Sequence, residues 1–369
     1  MIPVNEPLLS EEDIASVTEA LRSGWISGSG PHVESFENRW AAYCGRKHGV
    51  AVANGSVALQ VAVSLLDLQP GDEVIMPTFT IISCAWPVVL ARAIPVLVDS
   101  DPRTWTMDVT QVRARITSRT RAIMPVHIYG NPVDMQPLLD LAEEYGLAII
   151  EDAAEAHGAD YRGRRIGSFG TASCFSFYAN KLVTTGEGGM LLVDDEELAD
   201  RARRLRNLGF QPGRRFLHGE LGYNFRLTNL QAALGVTQVE RIDSIVARKR
   251  AMGQAYTVRL SEMPGLELQV EQPGAHSVYW MYGLVVRETS AGIDAAELAR
   301  RLAASGIETR PFFLGMHEQP ALRERGLFAG ESYPVAERLA RQGLYLPSSI
   351  GLEEQEIERI CGKVREALR

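Results

Sequence analysis

One feature constrains this chain more than any other: an alternation of short apolar runs with helical patterns. The runs lie at positions 50–53, 74–76, 96–98, 122–126 and 147–150, and helical patterns such as 57–66 and 135–145 separate them. Strand, turn and helix in repetition are the mark of a mostly parallel sheet covered by helices on both faces. Two further strand candidates follow at 173–177 and 189–193, and a long helical pattern runs from 229 to 260. The remainder offers a strand at 279–286, a helix at 295–304, an extended stretch at 308–313 and a terminal amphipathic helix at 353–368. The expected fold class is α/β, with a large domain over residues 1–240 and a smaller C-terminal α+β domain over 241–369. At the start, Ser10 is placed to cap a helix that Gly24 ends.

Charge and composition narrow the function. The chain carries 38 basic and 46 acidic residues, a net charge of −8, which disfavours a general nucleic-acid binder. No apolar run approaches the roughly 20 residues of a membrane helix. No basic-then-apolar leader opens the sequence, so a cytoplasmic location is expected. Cys44, Cys84, Cys174 and Cys361 form no CxxC pair and the seven histidines show no ligand spacing, so no metal is expected. The cysteines read as reduced, buried thiols. Only four basic residues are lysines: Lys47, Lys181, Lys249 and Lys363. Lys47, Lys249 and Lys363 sit in polar surroundings and read as solvated surface charges. Lys181 is flanked by apolar and small residues.

In an open α/β sheet, ligands bind beyond the carboxyl ends of the strands. After the run at 50–53 comes Asn54-Gly55-Ser56 and then a helix. Free N–H groups at such a start can hold a phosphate, although an ordinary turn reads the same way. There is no P-loop and no dinucleotide fingerprint. After 147–150 come Glu151, Asp152 and Glu155. Asp152 is either a helix cap or an acid held for a cationic ligand. After 173–177 comes Lys181, followed by Gly186, Gly188 and Gly189. A partly desolvated lysine has a lowered pKa and can form a Schiff base. An anion cradle, an acid and such a lysine together suit pyridoxal phosphate: the phosphate needs donors, the ring nitrogen a carboxylate and the aldehyde an amine.

The chain resembles the sugar aminotransferases of the DegT/DnrJ/EryC1/StrS family, pyridoxal-phosphate enzymes of fold type I. The likeness covers nearly the whole chain. It is carried by Trp25-Ile26-Ser27, Asn54-Gly55-Ser56, Pro77-Thr78-Phe79-Thr80, the stretch 151–158, the stretch 175–181, Thr184-Thr185-Gly186-Glu187-Gly188-Gly189 and Gly222-Tyr223-Asn224-Phe225-Arg226. The resemblance implies roles by position. Lys181 would bind the cofactor and shuttle the proton. Asp152 would pair with the ring nitrogen, and Glu155 would lie near the ring hydroxyl. Gly55, Ser56 and Ser176 would hold the phosphate, with Asn224 reaching it from a neighbouring subunit, so a homodimer at least is implied. The aromatic residue that stacks on the ring in many relatives is replaced by Ile81, and Phe79 or Trp86 could substitute.

Segments at 122–130, 214–216, 279–282 and 309–317 resemble the members that aminate GDP-4-keto-6-deoxymannose to GDP-perosamine, with L-glutamate as donor. Arg214, Arg215, Arg226 and Arg310 are candidates for the diphosphate, though each could equally be a surface ion pair. His317 and His127 could touch the sugar or be structural. Action at C3, or on a UDP- or dTDP-linked keto-sugar, is the main alternative. A non-catalytic pyridoxal-phosphate protein and a nicotinamide-dependent sugar enzyme are remoter ones.

Overall fold

The computed structural model describes residues 1–211 and 213–368. The strands His48–Val52 (β1), Glu73–Pro77 (β2), Ile94–Val98 (β3), Thr120–Ile123 (β4) and Ala148–Asp152 (β5) join Ala172–Ser176 and Gly189–Val193 in one seven-stranded sheet. The spatial order is β1, 189–193, 172–176, β5, β4, β2, β3. From β3 across to 172–176 every pairing is parallel. Strand 189–193 runs antiparallel to both of its neighbours. The sheet is therefore mixed but mostly parallel, as the alternation predicts. Every residue of β2 and of 189–193 is buried, because helices cover both faces.

The helix Glu11–Ser23 (α1) starts in a capping box between Ser10 and Asp13 and stops at Gly24, whose φ of 75° only glycine adopts readily. Helix Pro31–Cys44 (α2) brings Phe36 and Trp40 against Phe175 and Phe177 in an edge-to-face aromatic cluster. Helix Gly55–Leu65 (α3) begins directly after β1, with Asn54 capping the amide of Val57.

The pattern from 229 to 260 is not one helix. Asn229–Glu240 and Ile242–Leu260 are separate, and Arg241 sits between them with φ −106° and ψ 4°. Its guanidinium pairs with the buried Asp13 carboxylate of α1. Thr237 and Gln238 also donate to that carboxylate. Satisfying a buried charge thus coincides with the break. The strand expected at 279–286 shortens to Tyr282–Val286, because Tyr279 has φ 46° and turns the chain.

A second, antiparallel sheet has the order 266–268, 282–286, 343–346, 310–311. Its own apolar core includes Tyr256, Leu284, Leu298, Leu302 and Ile360, and Ile2 from the chain start belongs to it. Among the described residues, no helix is long and apolar enough to cross a membrane.

Candidate active site

A cavity of about 490 Å³ opens at the carboxyl ends of the parallel strands. It brings together Gly55, Ser56, Asp152, Glu155, Ser176 and Lys181. The alternation of strands and helices puts them there, since each lies just past or at the end of a strand or at the start of α3.

At one end is the start of α3. Its first N–H groups have no acceptor within the helix. Asn54 takes that of Val57, leaving Gly55 and Ser56 facing the cavity. The Ser56 hydroxyl lies 2.8 Å from that of Ser83, which also lines the cavity. A Cβ on Gly55 would come within 2.7 Å of the Ser176 Cβ, so a side chain there would fill the cradle.

β5 supplies two adjacent carboxylates that face opposite ways. Asp152 faces the cavity. Its Oδ2 accepts from the Cys84 thiol at 3.0 Å and its Oδ1 from the Ala154 amide at 3.1 Å. It caps no helix, because the chain beyond it forms turns. Glu151 points away and is saturated. It accepts from the amides of Gly167 and Phe169, from Ser173 Oγ at 2.8 Å, and from His127 Nε2 at 3.3 Å. The other His127 nitrogen takes the Val133 amide. His127 is therefore structural.

Lys181 is buried, its side chain 9% exposed. Its Nζ lies 3.9 Å from Glu155 Oε1 and 3.6 Å from the centre of the Trp280 ring. Burial pushes the Lys181 pKa down. Burial likewise pushes the Glu155 pKa up, while the Tyr129 amide donates to its Oε2 at 2.7 Å. A buried amine with a lowered pKa is a ready nucleophile.

The cavity fits pyridoxal phosphate. It has N–H and hydroxyl donors for an anion, a carboxylate with spare acceptor capacity and an amine. Buried Asn180 Oδ1, which has no partner, belongs to a residue on the same wall.

Other expected residues lie elsewhere. Arg214, Asn224 and Arg226 line a separate cavity of about 710 Å³, where Arg226 donates to Asn224 Oδ1. Arg310 lines a cavity of about 290 Å³ that shares Tyr178, Asn180 and Tyr345 with the Lys181 cavity, and it is paired with Glu308 at 2.8 Å. The Arg215 side chain lies outside what is described. His317 is not at the cavity. Its Nδ1 lies 2.8 Å from Thr78 Oγ1 and its Nε2 3.2 Å from Glu337, so both ring nitrogens are engaged within the chain. Of the candidate ring-stacking residues, Ile81 and Trp86 line the cavity, while Phe79 is buried against Tyr129 and Phe312.

Sequence reasoning missed Ser83, Trp280 and Tyr345, all on the cavity wall. Ser83 follows the end of β2, so the strand-end rule could have found it. Trp280 and Tyr345 arrive from the second sheet's side of the chain, with no local signal. It also misplaced Lys249, which is not a surface charge. It is 1% exposed, and its amine donates to the carbonyls of Trp280, at 3.0 Å, and of Ser348.

Known proteins agree with this geometry. The DegT/DnrJ/EryC1/StrS aminotransferase family model matches residues 7–365. A GDP-perosamine synthase from Caulobacter vibrioides is 41% identical over 100% of this chain and 98% of its own. A dTDP-3-amino-3,4,6-trideoxy-alpha-D-glucose transaminase from Streptomyces venezuelae is 40% identical over 98% of this chain and 93% of its own. Spr1654 from Streptococcus pneumoniae, solved in a PLP form, superimposes with a TM-score of 0.92 at 26% identity, covering 100% of this chain and 98% of that one. The chain belongs to the DegT/DnrJ/EryC1/StrS aminotransferase family, whose members are PLP-dependent sugar aminotransferases.

Proposed function

We propose that this chain transfers an amino group from L-glutamate to GDP-4-keto-6-deoxymannose, giving GDP-perosamine. Full-length similarity to the Caulobacter vibrioides GDP-perosamine synthase supports the substrate. The observation that carries the chemistry is the buried Lys181 amine in one cavity with Asp152 and the start of α3. Residues 1–240 act as the cofactor domain, residues 241–369 as the smaller one, and the enzyme works in the cytoplasm.

When bound, the cofactor supplies an aldehyde to carry the amino group and a ring to withdraw electrons from the reacting carbon. The chain's residues do the rest. The amides of Gly55 and Ser56 and the Ser176 hydroxyl would hold the phosphate at the positive end of α3. The Asp152 carboxylate would pair with the ring nitrogen and favour its protonated form. Glu155 would lie by the ring hydroxyl. Lys181 Nζ would be the amine that meets the aldehyde and, as a free amine, could take the proton from Cα of the donor. The cavity walls of Val126, Trp280 and Phe313 keep water away from that amine.

In a homodimer, Asn224 of the partner subunit would complete the phosphate site, and Arg214 and Arg226 would meet the substrate diphosphate. Exposed Trp25, Ile26 and Leu221 are apolar surface of the kind a second copy would cover.

The test is the visible spectrum of the cofactor-loaded protein. L-glutamate should convert the lysine-bound band to the pyridoxamine form, and GDP-4-keto-6-deoxymannose should restore it. A band that ignores glutamate would sink the donor assignment. A second reading is favoured by the 40% identity to the Streptomyces venezuelae transaminase: recovery with a dTDP-linked 3-keto-sugar, and not with the GDP sugar, would select it.

A further inference from the structure

The surroundings of Trp280 are unusually determined. The helix Ile242–Leu260 presents Lys249 and Gly253 one turn apart on the same face. A Cβ on Gly253 would lie 2.5 Å from the Tyr279 ring, so this glycine lets that ring rest on the helix backbone. Tyr279 holds φ 46°, a conformation unfavourable to a bulky residue, and so turns Trp280 inward. Lys249 then takes the Trp280 carbonyl at 3.0 Å and ties it to the carbonyl of Ser348. The indole N–H donates to the Asn180 carbonyl at 2.8 Å, one residue before Lys181. Tyr129 stacks near the indole with ring centres 6.4 Å apart, and the Lys181 amine lies over the ring, 3.6 Å from its centre.

Among the described residues no carboxylate pairs with Lys249, so only the two carbonyls offset the burial of its amine. Burial pushes the Lys249 pKa down to about 7, so it is kept at a cost. What it holds is the backbone of Trp280, whose ring contacts the Lys181 amine.

We propose that Trp280 is the docking face for the Lys181 ammonium whenever that amine is not bonded to cofactor, and that Lys249 is the positioning residue that holds Trp280 there. The inference rests on Lys181 being the cofactor lysine. An indole face attracts an ammonium electrostatically, and more strongly in a desolvated place. Trp280 therefore favours the protonated amine against the burial that disfavours it, and parks it beside Glu155 rather than leaving it loose in the cavity.

The test uses full-length protein stripped of cofactor. Pyridoxal phosphate is added, and the growth rate of the lysine-bound visible band is followed against pH. Only the unprotonated amine reacts, so the profile reports the protonation of Lys181. With Trp280→Leu the band should still form, but the profile should move to lower pH by about one unit, the size expected for a desolvated cation–π contact. Trp280→Phe keeps an aromatic face and should stay within about half a unit of the parent. Lys249→Met should shift the profile in the Leu direction, by less. The proposal fails if the Leu profile overlies the parent, or if Phe shifts as far as Leu. An unshifted Lys249→Met profile overturns the role given to Lys249. Lys181→Ala separates this from the underlying reading. If that variant grows the same band, Lys181 is not the cofactor lysine. If it grows none while the Leu profile is unmoved, only the docking proposal falls.

Discussion

Lys181 and Lys249 are both buried lysines, and their surroundings differ in one respect. Lys181 borders a cavity, with no hydrogen-bond partner for its amine among the described residues and a carboxylate oxygen at 3.9 Å. Lys249 is enclosed, and its amine donates to two backbone carbonyls. The same contrast recurs in β5. Asp152 accepts two hydrogen bonds and faces the cavity, whereas Glu151 accepts four and faces the interior. Burial alone does not mark a reactive group, because Lys249, Glu151 and Asp152 are all buried and the Lys181 side chain, at 9% exposed, is less enclosed than that of Lys249. Unused bonding capacity beside an open volume does. A saturated polar group is part of the framework.

Exchanging the lysines one at a time should separate chemistry from framework. Lys181→Ala should carry the largest effect: turnover falling by at least about a thousandfold, since covalent attachment and proton transfer are both lost. Its melting temperature should stay at or above the parent's, because a buried amine without a hydrogen bond stabilises little. Near-normal turnover would end the distinction between the two sites. Lys249→Met should show the reverse emphasis. It leaves the Trp280 and Ser348 carbonyls without their donor, at about 1–3 kcal/mol each. The pH dependence adds a signature. The folded pKa of Lys249 is lowered to about 7 from an ordinary value near 10.5. Between those values the unfolded chain binds more protons, so the lysine's contribution grows as pH rises and is lost as pH falls through 7. Denaturant unfolding of parent and variant should therefore diverge from pH 7 towards pH 10. A constant difference across that range would show that Lys249 does not titrate there.

The sequence carried one side of this contrast better than the other. The strand ends were legible because alternation and glycine turns are local signals. They placed Asn54-Gly55-Ser56, Asp152 and Lys181 on one edge before any coordinates. The flanks of Lys181 are apolar and those of Lys249 basic, and this misled. Arg248 and Arg250 suggested a solvated face, yet Lys249 lies on the inward stripe of its helix, next to Met252 and Tyr256. Helical periodicity held the answer, and the neighbouring charges hid it. Trp280 was invisible for another reason. Its role depends on Asn180 and Lys249, 100 and 31 residues away in the chain. The break at Arg241 was equally silent, since its cause is Asp13, 228 residues earlier.

The smallest effect is expected at His317, where a histidine among candidate substrate residues proves to be enclosed. Its ring is wedged against Tyr333, one nitrogen on Thr78 and the other on Glu337. Glu337 is itself held down at about 2 by the Tyr333 amide and by Ser332, then by His317. The trio fastens the helix Pro334–Gln342 to the loop after β2. His317→Gln can keep part of that bonding, so it should cost about 1 kcal/mol and lower the melting temperature by about 1–3 °C. kcat/KM should stay within about twofold of the parent, because no atom of this ring borders the cavity. A tenfold loss of kcat/KM at an unchanged melting temperature would mean that a saturated, enclosed group still reaches the substrate. Bonding capacity would then fail as the property that tells a reacting residue from a framework one.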